Sequence, residues 1–244
     1  MSPVFLLSPA FCGGRRAAVL LKPASTLPLA ERLRAGTLTL GEAFSFLSGL
    51  YFRGKLTYAL AFDPTFVRTH VITPTRGLLS PAAPISAELL HEFASVDVSA
   101  DDARYREPLV RDVTALAKRL NRGGEAPRIK VVLLGSIATG KYVDVLAGLL
   151  GPALCYPTDF IGRGDMSRGG LLLRSAQAGT ELDYAVLDPT VKRRGPRPPK
   201  LAPVQEPTNI SPWLQSTSPP KQKSPPRLPT SRPSCSTRSA SRNG

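Results

Sequence analysis

The chain is poor in the residues that most often carry chemistry. Its 244 residues include two histidines, His70 and His91, three cysteines, Cys12, Cys155 and Cys235, and one tryptophan, Trp213. No two cysteines have the CxxC spacing, and neither histidine lies near a cysteine in sequence. A four-ligand zinc site is therefore not expected, and no other residue pattern asks for a metal or an organic cofactor. The odd thiol count offers no disulfide framework and fits a reduced, cytoplasmic protein. No apolar run reaches about 18 residues, the length needed to span a bilayer. The opening MSPVFLLSPAFCGGRR places its charges after a short apolar run and lacks the long hydrophobic region of a signal peptide.

Acidic residues are scarce too, 18 against 32 Lys and Arg, but the imbalance is uneven. Residues 1–190 hold 21 basic and 17 acidic side chains, a net of +4. Residues 191–244 hold 11 basic and one acidic, a net of +10, together with twelve prolines and nine serines after position 191. Such a segment cannot bury enough apolar surface to offset its chain entropy, so it reads as a disordered basic tail. A tail of this kind attaches to nucleic acid or anionic lipid in a salt-dependent way, or is an extension without a role.

Within residues 1–190, short apolar runs alternate with helical patterns. Residues 4–7, 70–73, 128–134, 153–156 and 182–187 read as strands; residues 28–34, 41–50, 52–62, 86–93, 109–120, 141–150 and 170–178 read as helices. Residues 17–21 fit either, and residues 73–84, TPTRGLLSPAAP, read as a loop. The alternation implies a single three-layer α/β domain with a mostly parallel sheet flanked by helices. In such folds ligands sit at the carboxyl ends of strands.

Three turns would leave the sheet at that end. In VVLLGSIATGKY, Gly135, Gly140 and Lys141 have the spacing of a phosphate-binding P-loop, but Tyr142 stands where a magnesium-binding Ser or Thr belongs. The stretch follows a strand and opens a helix, where unpaired N–H groups favour an anion. Gly135, Ser136, Thr139, Gly140 and Lys141 are candidate ligand contacts; an ordinary βα turn is the competing reading. In GRGDMSRGG, Arg163 and Arg168 could clamp a phosphate or carboxylate, with Asp165 as general acid or base. A solvated loop with Arg–Asp pairing is the alternative there. The turn after the first strand adds Ser8, and also Cys12, which as a nucleophile would need a base and a lowered pKa. Finally, Tyr51, Phe52, Arg53 and Lys55 read either as a base-stacking surface or as core aromatics flanked by solvated charges.

At LLSPA, SGLYFRGKLTYALAF and VITPTRGLLSPAAPIS the chain resembles a group of bacterial α/β proteins. Ser8-Pro9-Ala10 is similar to the start of the peroxide-stress YaaA-type proteins. VVLLGSIATGKYVDVLAGLLGPALCYPTDF resembles the final strand–helix–strand of uracil-DNA-glycosylase-like domains. These resemblances span residues 4–187 and imply the fold and a nucleotide-related ligand. The chain has no histidine near residues 156–160, where the glycosylases carry one, and no catalytic residue is transferred. The expectation is an anion site for a nucleotide, a sugar phosphate or a nucleic-acid phosphate, serving a transferase or hydrolase at a ribosyl or phosphate centre. The competing expectation is a non-catalytic nucleic-acid-binding or adaptor protein that uses its basic tail.

Overall fold

The computed structural model of the chain describes residues 3–120, 129–137, 140–188, 195–196 and 198–199. Its elements begin with β1 (Val4–Leu7), α1 (Arg15–Leu21), α2 (Pro28–Arg34), α3 (Leu40–Ser48), α4 (Leu50–Phe62), β2 (Thr69–Thr73) and β3 (Gly77–Leu79). They continue with α5 (Ala87–Ala94), α6 (Ala103–Leu120), β4 (Val131–Leu134), α7 (Gly140–Leu150), β5 (Leu154–Pro157), α8 (Asp165–Ala178) and β6 (Tyr184–Val186). The strands form one sheet in the order β3-β2-β1-β4-β5-β6. The four inner strands are parallel, and the edge strands β3 and β6 are antiparallel to their neighbours. The expected α/β architecture, a mostly parallel sheet flanked by helices, is the one observed.

Every residue of β1 and β4 is buried, as an uninterrupted apolar run must be when both faces of a parallel sheet are covered. From β1 the chain moves to β2 on one side, then returns to place β4 on the other. Right-handed crossovers in opposite directions lie on opposite faces. Accordingly α4 packs on α8 and β1, while α6 packs on α7, β2 and β3. The carboxyl ends of β1 and β4 are therefore the topological switch point, the place where such sheets hold their ligand crevice. The register pairs Leu7 with Leu134, so Ser8 and Gly135 leave the sheet side by side.

Two features hold the α4 layer in place. α3 starts in a capping box in which Thr39 and Glu42 satisfy each other's backbone N–H groups, and Arg32 clamps Glu42 through two hydrogen bonds of 2.5 and 2.9 Å. α4 and α8 meet backbone to backbone at Gly54 and Gly169. A Cβ on Gly54 would stand 2.6 Å from the Gly169 carbonyl oxygen, and one on Gly169 would stand 2.8 Å from that of Leu50.

Several elements differ from the sequence reading. Residues 17–21 belong to the helix α1. The segment read as the loop TPTRGLLSPAAP contains β3, a three-residue strand too short to show alternation. It is fixed from outside, because Leu78 N–H donates to the Asp112 carboxylate on α6 at 2.9 Å. α6 starts six residues earlier than its apolar stripe and carries Pro108 inside it. The glycine-rich loop ends sooner than expected, since α8 begins at Asp165 and so takes Asp165 and Arg168 into its first turns. Residues 191–244, expected to be disordered, lie outside the described residues except at 195–196 and 198–199. There the Pro196 carbonyl and the Pro198 ring press on Gly162, leaving no room for a side chain at that position.

Candidate functional site

Ser8 extends β1 by one residue, its N–H donating to Leu134 O at 3.2 Å. A Cβ on Gly135 would come within 2.9 Å of Ser8 Cβ, so only glycine lets the two strand ends approach this closely. Above them runs α4, and its Lys55 points down into the crevice. Lys55 Nζ lies 2.6 Å from the Ser8 carbonyl oxygen and 2.8 Å from Ser8 Oγ. The side chain is buried to 1% exposure, with the rings of Tyr51 and Phe52 at 4.5 and 4.8 Å from the nitrogen. Among the described residues no carboxylate comes within ion-pair distance of it.

Burying an amine without an acidic partner disfavours its charged form. Desolvation brings Lys55 from its ordinary 10.5 down to about 7, against a smaller upward pull from Asp165. Tyr142, on the first turn of α7, lies beside the Ser8 side chain; burial pushes its phenol up to about 12, and Ser8 opposes the rise. Tyr51, one turn before Lys55, has a buried hydroxyl without a hydrogen-bond partner among the described residues. Burial raises its pKa, and the neighbouring Arg168 guanidinium opposes the rise. Arg168 is itself buried, donating through Nε and Nη2 to Phe160 O at 3.3 and 3.1 Å. Its Nη1 stands 3.7 Å from the exposed Asp165 carboxylate.

Two basic groups, one serine and two phenols thus converge where β1, α4, α7 and α8 meet, with Asp165 at the margin. An amine near neutrality beside a serine hydroxyl can take up or release a proton. With the buried guanidinium it can also face a negative charge.

Of the residues expected from sequence, Ser8 and Gly135 meet directly, and Arg168 and Asp165 reach the crevice through Tyr51 and Lys55. Ser136 is half-buried in the turn after β4, and Gly140 opens α7. Lys141 is exposed; its carbonyl accepts the Tyr105 hydroxyl at 3.0 Å. Arg163 is engaged within its own segment, donating to Asp159 O at 3.0 Å and Ser167 Oγ at 3.3 Å. Thr139 lies outside the described residues. Burial pushes the Cys12 thiol up to about 12, the opposite of what a nucleophilic thiolate requires.

Tyr51 and Lys55 were expected either in a base-stacking surface or as a core aromatic beside a solvated charge; both are buried, Lys55 included, and neither they nor Tyr142 had been placed with Ser8. For Lys55 the signal was present: it stands three residues after Phe52 and four after Tyr51, beside Gly54, on the face that helical periodicity turns inward.

Three open clefts lie elsewhere among the described residues, and several of their charges are paired. Arg32 binds Glu42 in the first, Arg76 binds Glu92 in the second, and Arg111 of the second binds Asp112 of the third. The crevice differs in holding a buried basic group without an acidic partner. Among the described residues no group of three or more His, Cys, Asp or Glu is placed to hold a metal ion, and no helix is long and apolar enough to cross a membrane. Comparison with protein-family models, curated proteins and solved structures gave no significant match.

Proposed function

We propose that the protein binds an anionic ligand in the crevice above β1 and β4, a nucleotide, a sugar phosphate or a nucleic-acid phosphate, and acts on it as a transferase or hydrolase at a ribosyl or phosphate centre. One observation supports this most: Lys55 is buried at the switch point without a carboxylate partner among the described residues. A buried lysine destabilises the chain unless it is neutral or faces an anion, and a site that binds a phosphate gives it one. Arg168, also buried, adds a second positive group.

The test titrates the full chain with ADP, ribose 5-phosphate and a short single-stranded oligonucleotide at roughly 50 and 200 mM salt. Binding in the crevice is lost in Lys55→Met and is accompanied by proton uptake near neutral pH, because a bound anion favours the ammonium. Binding through the basic tail persists in Lys55→Met and falls steeply with salt, which would favour the non-catalytic nucleic-acid-binding role instead. If no ligand distinguishes the wild type from Lys55→Met, the crevice is not the site.

A further inference from the structure

Ser8 and Lys55 form a pair whose geometry goes beyond holding an anion. The Ser8 carbonyl oxygen can only accept, so one N–H of Lys55 is committed to it at 2.6 Å. In the neutral amine the remaining lone pair is then free for the Ser8 hydroxyl, 2.8 Å away. The same residue that carries the hydroxyl therefore orients the amine toward it. Tyr142 lies beside the serine side chain on the α7 side. Gly135 brings the turn after β4 against Ser8 Cβ. The Tyr51 hydroxyl, buried and without a partner among the described residues, stands beside the buried Arg168.

We infer that Ser8 Oγ is a nucleophile with Lys55 Nζ as its general base, and that the crevice carries out phosphoryl transfer from a phosphate ester through a Ser8 phosphoester. As Oγ bonds to phosphorus, its proton passes to the Lys55 amine and the bond from phosphorus to the leaving oxygen breaks. The Lys55 ammonium then protonates that oxygen. In the second half an acceptor hydroxyl or water attacks phosphorus and gives its proton to Lys55, the Oγ–P bond breaks, and Lys55 returns a proton to Ser8. Arg168 and the Tyr51 hydroxyl provide the positive charge and the unspent donor that the phosphoryl oxygens need. The groups facing Lys55 are Ser8 from β1, Tyr51 from α4, Tyr142 from α7, and Asp165 and Arg168 from α8. Without a bound anion, burial favours the neutral amine above about pH 7, the form a base requires; a bound anionic ester raises that midpoint, so its turnover needs a higher pH than labelling by an uncharged probe.

The inference rests on the proposed function in using the same crevice, but it is tested independently of anion affinity. The folded full chain is incubated with a fluorophosphonate activity probe, which carries no anionic charge, and the adduct is located by peptide mass spectrometry. Attack by Oγ displaces fluoride, and Lys55 takes the proton. The expected result is a single adduct on Ser8, formed faster as pH rises through about 7. In Lys55→Met it forms about 10²–10⁴-fold more slowly. Tyr142→Phe, which keeps the ring, slows it by a smaller factor, so the role of the pair is read even if one variant folds poorly. An unmodified Ser8 in the wild-type chain overturns the inference, as does equal labelling of wild type and Lys55→Met. Either result leaves the anion titrations to decide the ligand class by themselves.

Discussion

Lys55→Met removes the buried amine while keeping a long apolar stem, and its effect on stability should depend on pH in one direction. In the folded chain Lys55 loses its proton at about 7, and in the unfolded chain at its ordinary 10.5. Between these values the unfolded state binds the extra proton, so stability rises with pH at up to about 1.4 kcal/mol per pH unit. Below pH 7 the destabilisation is fully present, on the order of 4–5 kcal/mol; above 10.5 it is gone. The substitution also takes the donor from the Ser8 carbonyl and Oγ, which costs about 1–3 kcal/mol at every pH. Lys55→Met is therefore expected to be more stable than wild type at pH 7, with the advantage shrinking by roughly 3 kcal/mol by pH 9.5. Urea unfolding of both chains across this range measures the difference, in which the buried tyrosines common to both cancel. A difference that stays constant with pH would refute an amine held near neutrality, and with it the base assigned to Ser8.

The backbone contact between α4 and α8 gives a second expectation: Gly54→Ala forces a Cβ to within 2.6 Å of Gly169 O and should lower stability by about 1–3 kcal/mol or more. By contrast Gly148→Ala in α7 meets open space and should raise it by about 0.5–1 kcal/mol, both read as urea midpoints. Thr39→Ala dismantles the capping box of α3 and should cost about 1 kcal/mol; an unchanged melting temperature would count against it. Asp165→Asn removes the charge that holds Lys55 up, so the midpoint of the pH profile for labelling at Ser8 should move below about 7.

The layers of the fold were legible because burial writes itself into composition. VFLL and VVLL have no polar interruption, as strands covered on both faces require, and the 3.6-residue spacing of Leu109, Val113, Leu116 and Leu120 marked α6. β3 was not legible, since three residues show no period and its place depends on Asp112, more than thirty residues further on. The site was half legible. Ser8 and Gly135 were expected because they follow strands, and Arg168 and Asp165 because a glycine-rich segment carried charge. Lys141, the residue that made GSIATGKY look like a P-loop, turned out to be exposed, whereas Tyr142, the residue that broke the motif, reaches Ser8.

By itself the sequence determined which segments are buried, that strands and helices alternate, and that the turns at Ser8 and Gly135 leave the sheet at its carboxyl edge, because apolar periodicity is a local property. Only the tertiary structure decided that Lys55 is the basic group of the crevice. Its partner is Ser8, 47 residues away, and its burial depends on α8 closing over α4 at Gly54 and Gly169. A lysine's charge can be read from its letter; whether that charge is solvated, paired or left to face a substrate depends on contacts between segments far apart in the chain.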